Sequence, residues 1–239
     1  MFIDKHPFLY LMVSLLMAAG SLLTGKINWS GALLGGSITF CLMLAFGWTG
    51  LLMIFVFFVG GTAASTWRRK EKEKLGLEEK NRGKRTHVNV ISNAGAAWLC
   101  ALSALIFPSL EWIFSLSMAS SFASAFSDTV SSELGNVYGK KFIKINSLTT
   151  GCRGEDGVIS FEGTALGLVA SGLTALFYGL SEGWNEYLWL VFLAGIIGNL
   201  SDSIMGALFQ QRGWMNNHSV NYFSTLLAAL LTLCYLLLS

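Results

Sequence analysis

Ser124-Ala-Phe-Ser-Asp-Thr-Val-Ser-Ser-Glu-Leu-Gly-Asn136 closes a run of apolar and small residues long enough to cross a bilayer, yet it carries Asp128 and Glu133. On a helix, Ser117, Ser121, Ser124, Asp128 and Ser132 recur at steps of three or four, which makes one face small and polar. Lipid rejects such a face. Acidic groups at the edge of a membrane span are rare and turn toward a bundle interior or a polar cavity. The bland reading is a Ser-rich packing seam with a solvated acidic end. The sharper reading is a helix that carries a functional site, and the rest of the chain separates the two.

Of the 239 residues, 53% are hydrophobic and only 13% are charged, about half the charged share of a soluble domain. The mean hydropathy is +0.57. Long apolar runs between short polar stretches indicate a single integral membrane domain over residues 1–239, an all-α, multi-pass transmembrane helical bundle. Eight spans are expected, at residues 7–23, 31–46, 50–66, 89–107, 112–127, 161–180, 186–209 and 220–238. The first could pass for a signal peptide, but further spans follow at once and it reads as a retained helix.

Taking alternate sides of those spans, fifteen of the sixteen Lys and Arg residues fall on one side, and only Lys5 on the other. The rule that basic loops stay inside makes the crowded side cytoplasmic. Residues 67–87 and 128–160 become its two main loops, and both termini are expected to be non-cytoplasmic. Trp29, Trp48, Trp67, Trp112, Trp184 and Trp214 lie near span ends, where aromatic anchors belong. Gly31 and Gly35 read as a helix-packing pair. The four cysteines and three histidines are scattered, so neither a disulfide framework nor structural zinc is indicated.

The polar residues that packing does not explain gather on the cytoplasmic side. Gly195, Asn199, Asp202 and Gly206 form a second small, polar stripe, and Ser201-Asp202-Ser203-Ile204 echoes Ser127-Asp128-Thr129-Val130. Asn89 and Asn93 open the fourth span, four apart on one face; Asn217 and Asn221 do the same for the eighth. Each asparagine alone is more often a cap or an interhelical hydrogen bond. Four of them beside two intramembrane aspartates favour a shared site. The loop 139–157 adds Lys140, Lys144 and Arg153, with Gly151, Gly154 and Gly157 permitting close backbone approach to an anion. Carboxylates with cations suit a metal–polyphosphate ligand, Asp holding Mg²⁺ and Lys, Arg and amides holding phosphate oxygens.

Several of these pieces resemble a known family. Arg82-Gly-Lys-Arg85, Asn93-Ala-Gly95, Asp128-Thr-Val-Ser-Ser-Glu-Leu-Gly135, Gly154-Glu-Asp-Gly-Val-Ile-Ser160, Asp202-Ser-Ile-Met-Gly206 and Asn217-His-Ser-Val-Asn221 occur in this order. They are similar to the integral-membrane phytyl-phosphate kinase group, which includes animal transmembrane protein nineteen and is more distantly similar to phytol and dolichol kinases. The resemblance implies phosphorylation of a membrane isoprenyl monophosphate to its diphosphate, with CTP or another NTP as donor. On that reading Asp128 and Asp202 ligate Mg²⁺, and Glu133 is a ligand or supports one. Lys140, Lys144, Arg153, Gly154 and Gly157 hold the nucleotide phosphates. Arg82, Lys84 and Arg85 hold the acceptor phosphate, and Asn93, Asn217 and Asn221 orient oxygens.

The partners implied are the prenyl-phosphate lipid, a nucleotide and membrane lipids, with no nucleic acid; the expected location is a prokaryotic cytoplasmic membrane. The alternatives are a small-molecule or lipid transporter or flippase, a kinase acting on the prenyl alcohol, and a non-catalytic scaffold with lipid-binding basic loops. The clustering of polar residues at one surface, with no polar path beyond it, weighs against the transporter.

Overall fold

The computed structural model describes residues 6–77 and 84–238. They form a helical bundle with one small β-hairpin. Helix α1 spans Pro7–Leu23, α2 Trp29–Thr66, α3 Arg69–Lys74, α4 His87–Ile106 and α5 Glu111–Tyr138. A two-stranded antiparallel hairpin follows, β1 (Phe142–Lys144) with β2 (Val158–Ser160). Helices α6 (Phe161–Glu182), α7 (Leu188–Met205) and α8 (Asn217–Leu238) complete the chain, α7 running on into a π-helical turn at Gly206–Gln210.

Among the described residues, α2, α4, α6, α8 and α7 with its π turn are long and apolar enough to cross a membrane, and α1 is a shorter apolar helix. The 38 residues of α2 are not one straight rod. Gly47 has φ 59° and ψ −136°, a conformation that only glycine takes without strain. There the chain doubles back, bringing Gly50 against the Leu42 carbonyl. Both ends of α2 consequently meet Arg85: the Asn28 amide donates to the Arg85 carbonyl at 2.9 Å, and Gly61 lies beside the Arg85 guanidinium. The break at Gly47 falls between the segments 31–46 and 50–66 that were expected as separate spans.

Helix α5 is the axis of the bundle. Every residue from Ile113 to Ser127 is buried, and α2, α4, α6, α7 and α8 all pack on it. Its hydropathy is low because it is built from serine and alanine. A helix wrapped by other helices touches no lipid, so small residues serve it better than large apolar ones. Glycines on the neighbours let the backbones close in. Gly163 and Gly167 of α6 meet Gly135, Ser127 and Ser131, while Gly195 and Gly198 of α7 meet Ala123 and Ser124. Outward positions such as Leu33, Val169, Leu193 and Leu230 are exposed and apolar, as a lipid-facing surface requires.

One expected boundary is corrected. Residues 128–138 are not loop; α5 continues through Asp128 and Glu133 to Tyr138. The small residues that admit α6 at Gly135 keep this polar end packed, and packing rather than hydropathy decides where the helix stops.

The two ends of the bundle differ sharply. At one end lie Lys26, Lys72, Arg85 and the hairpin with Lys144 and Arg153. At the other, Tyr10 meets Trp48 edge-on, and Thr49 bonds Ser181 and Glu182.

Candidate active site

At the basic end, a polar cavity of about 210 Å³ opens where α4, α5, α7, α8 and the hairpin converge. Each wall has a local reason to be there. Helix α4 begins at Thr86, whose backbone N–H donates to the Asn89 side-chain oxygen at 2.9 Å. One turn on, Asn93 donates its amide to the Asn89 carbonyl at 3.0 Å, and its Oδ1 faces the Asn221 amide at 3.5 Å. Asn216 caps α8 by accepting from the Ser219 N–H, so Asn217 has no capping duty and lines the cavity. From α5 come Asp128, Ser132 and Glu133; from α7 comes Asp202, which accepts from Ser224 at 3.2 Å. Asp202 lines the same cavity as Asp128 and, on the hairpin side, Asp156.

The fifth wall is the glycine-rich segment after β1. Gly157 has φ +70°, and a Cβ there would sit 2.6 Å from the backbone of Ala207 in the π turn. The segment therefore lies directly on that turn. Gln211 secures the contact, donating to the Asp156 carbonyl at 2.6 Å, and Gln210 bonds the Asp156 carboxylate. Burial pushes the Asp156 carboxyl above its ordinary range, the Gln210 bond opposing this in part. Outside the wall, Lys144 and Glu155 pair at 2.9 Å. The hydrogen bond from Lys144 holds the Glu155 carboxyl below its usual value and raises the lysine.

Most of the candidate residues meet here. Asp128, Glu133, Asp202, Arg85, Asn93, Asn217, Asn221, Gly154 and Gly157 all line the cavity. Lys84 is exposed and stands apart from the lining, as do Lys140, Lys144 and Arg153; Arg82 lies outside the described residues. Arg153 is occupied within its own loop. Its guanidinium donates to the carbonyls of Asn136 and Gly139 and stacks on Phe142, 5.0 Å from the ring centre. The glycines also have protein neighbours: a side chain at Gly151 would meet Val158, at Gly154 Leu77, and at Gly157 Ala207.

Three residues escaped the sequence reading. Lys72, one of nine cations in a charge run, is 3% exposed and ion-paired with Glu133, and it donates to the Ser65 carbonyl at 2.6 Å. Asp156 stood within a quoted motif and Gln210 four residues beyond another, yet only the contact between hairpin and π turn gives them a place. Two acids flanked by glycines, Gly154-Glu155-Asp156-Gly157, three residues before the Ser160 helix cap, were the available signal.

The donor set can be tested against a divalent cation. Among the described residues no group of three or more His, Cys, Asp or Glu is arranged as a metal cage. A Mg²⁺ ion in phosphoryl transfer needs less, since it is held by one or two carboxylates plus substrate phosphates and water. Asp128 and Asp202 meet that requirement. Asn221 Oδ1, buried and without a hydrogen-bond partner among the described residues, adds a hard oxygen at the same wall. The residues fit the ion.

The family described as integral membrane protein DUF92 matches residues 12–229. An uncharacterized membrane protein of Synechocystis sp. is 37% identical over 190 residues, covering 77% of this chain and 73% of the relative. Protein VTE6, chloroplastic, of Arabidopsis thaliana is 32% identical over 239 residues, 97% of this chain and 68% of the relative. An uncharacterized membrane protein of Methanocaldococcus jannaschii is 33% identical over 204 residues, 83% and 81% of the two chains. No solved structure matches the chain.

Proposed function

The chain belongs to the integral membrane family DUF92, and from that premise we propose that it is a kinase adding a phosphoryl group to a membrane isoprenyl monophosphate. The observation that carries the reading is one polar cavity in which Asp128, Asp156, Asp202, Asn93, Asn217, Asn221 and Arg85 converge at one end of an apolar bundle. Carboxylates facing one another in a membrane protein are costly unless a cation joins them. Each motif that resembles the phytyl-phosphate kinase group contributes to the lining of this cavity, Arg85, Asn93, Asp128, Gly154, Asp202 and Asn217 among them.

The reaction needs little covalent work from the protein. An oxygen of the acceptor phosphate attacks the terminal phosphorus of the nucleotide, the bond to the bridging oxygen breaks, and a nucleoside diphosphate leaves. The acceptor is already an oxyanion, so no histidine base is required. What remains is positioning and charge. Bound Mg²⁺ would neutralise charge on the transferring group; Asp128 and Asp202 would hold it.

Arg85 would draw in the acceptor phosphate, and Asn93, Asn217 and Asn221 would orient oxygens. Asp156, fixed by Gln210 and Gln211, would order the side of the cavity formed by the hairpin. Lys140 is exposed beside that hairpin and gives an entering nucleotide a cation. Arg153 and Glu133 act at one remove: the first closes the loop, the second anchors Lys72.

The test is purified protein with Mg²⁺, labelled CTP or ATP, and a panel of prenyl alcohols and prenyl monophosphates. Label appearing in the diphosphate, from monophosphate acceptors alone, is the expected result. Transfer to the alcohol would shift the reading to an alcohol kinase, and no transfer to any acceptor would overturn it.

A further inference from the structure

A second depression lies beside the polar cavity, of opposite character. It is a groove of about 70 Å³ between α1, both arms of α2 and the start of α4. Met17 and Ala18 come from α1, Gly35 and Thr39 from the first arm of α2, Phe57 from the second arm, and Val90 from α4. The wall is almost wholly apolar at its far end. At its near end stand Arg85 and Asn89, and both also line the polar cavity. Groove and cavity therefore share a seam.

Arg85 is built into that seam. Its backbone pairs with Lys26 and Asn28 at 2.9 Å on each side, and its guanidinium lies 5.2 Å and 5.6 Å from the ring centres of Phe57 and Phe58. Gly61 makes room for the guanidinium, since a Cβ there would lie 2.9 Å from Arg85 Nη2. A fixed cation with an acid-rich cavity on one side and an apolar groove on the other is the seat for an amphiphile: an anionic head at the seam, a hydrocarbon tail in the groove.

Gly35 adds an independent observation. Its pairing with Gly31 suggests helix packing, yet a Cβ at Gly35 would meet nothing within 4 Å. A glycine in a helix interior is destabilising relative to alanine by roughly 0.5–1 kcal/mol. Here no neighbouring backbone or side chain uses the space, so the space itself is what the glycine provides.

We infer that this groove takes the isoprenoid tail of the phosphorylated acceptor, with Arg85 at the head–tail junction. The inference rests on the kinase reading for the identity of the head group, and it names the path of the tail. From Ala32 to Thr39 the groove follows the first arm of α2 for about 10 Å. It holds the units of the chain nearest the phosphate; the remainder lies in lipid against α1.

The probe is a geranylgeranyl monophosphate analogue with a diazirine in its second isoprene unit, photolysed with the full-length protein in lipid nanodiscs and mapped by peptide mass spectrometry. The expected label falls on α1, α2 and α4 around the groove. It is displaced by unlabelled geranylgeranyl monophosphate and not by dioleoyl phosphatidic acid. Gly35→Leu, which fills the groove, reduces it at least five-fold; Ser21→Phe fills the same space from α1 and serves if the first variant does not fold.

Label on the outer faces of α6 or α7, no label, equal displacement by phosphatidic acid, or full labelling of a folded groove-filling variant would each overturn the inference. Turnover of the wild-type protein on the unmodified monophosphate is measured in parallel. Label in the groove without phosphoryl transfer would sink the kinase reading and leave the groove standing. Transfer with label elsewhere would do the reverse.

Discussion

Lys72 shows what single residues do here and what a sequence can say about them. Its ammonium is buried against Glu133 and the carbonyls of Ala64 and Ser65, tying α3 to the last turns of α5 just behind the cavity. Removing one partner of a buried ion pair leaves a desolvated charge and costs about 3–5 kcal/mol. Lys72→Met should therefore lower stability by about 3 kcal/mol in thermal unfolding of the detergent-solubilised protein, with Glu133→Gln in the same chain recovering part of the loss. Lys70→Met, at an exposed neighbour, should stay within about 0.5 kcal/mol. Equal effects at the two positions would show that the ion pair does not anchor α3. Nothing in a run of nine cations marks the buried one, so this residue was not legible. Asp128, Asp202, Asn93, Asn217 and Asn221 were, because polar groups inside an apolar span are expensive enough to need a reason.

At the scale of elements, the contact between hairpin and π turn organises the site. Gly157 lies against the Ala207 backbone with a positive φ, so Gly157→Ala meets both a steric clash and an unfavourable conformation. The variant should loosen residues 140–160, seen as faster hydrogen exchange there and quicker cleavage by added protease, while α5 and α7 remain protected. Turnover should fall with the loosening. Unchanged exchange in the hairpin would mean that the segment is held by other contacts.

The break in α2 falls in the gap between the segments 31–46 and 50–66, and the apolar helices were readable from apolar length. The continuation of α5 to Tyr138 was not. Its polar sequence from Asp128 onward looks like loop until α6 is seen to pack on Gly135. The roles of the glycines were likewise hidden, since close approach to an anion and close approach to Ala207 demand the same residue.

For the whole molecule, the separation of charge predicts an orientation, and the convergence of carboxylates supports the proposed chemistry. Cys152 is exposed on the hairpin beside the cavity, and from the skewed distribution of Lys and Arg that end is expected in the cytoplasm. In sealed right-side-out vesicles an impermeant thiol reagent should leave Cys152 unlabelled until the membrane is opened; labelling of the intact vesicles would reverse the topology. Protection shared with the buried Cys100 is avoided as a confusion by scoring Cys152 on its own peptide.

The central claim is that Asp128 and Asp202, on different helices, serve one phosphoryl-transfer site. It is tested most directly by a double-mutant cycle on Mg²⁺-dependent turnover of a prenyl monophosphate, with folding checked for each variant. Asp128→Asn and Asp202→Asn should each reduce turnover about 100-fold or more, the scale of losing one charge-stabilising group from a transition state. The double variant should be little worse than either, because residues that act as a unit are not additive. Independent, multiplicative losses with unchanged Mg²⁺ dependence, or near-normal turnover in either folded single variant, would contradict the account.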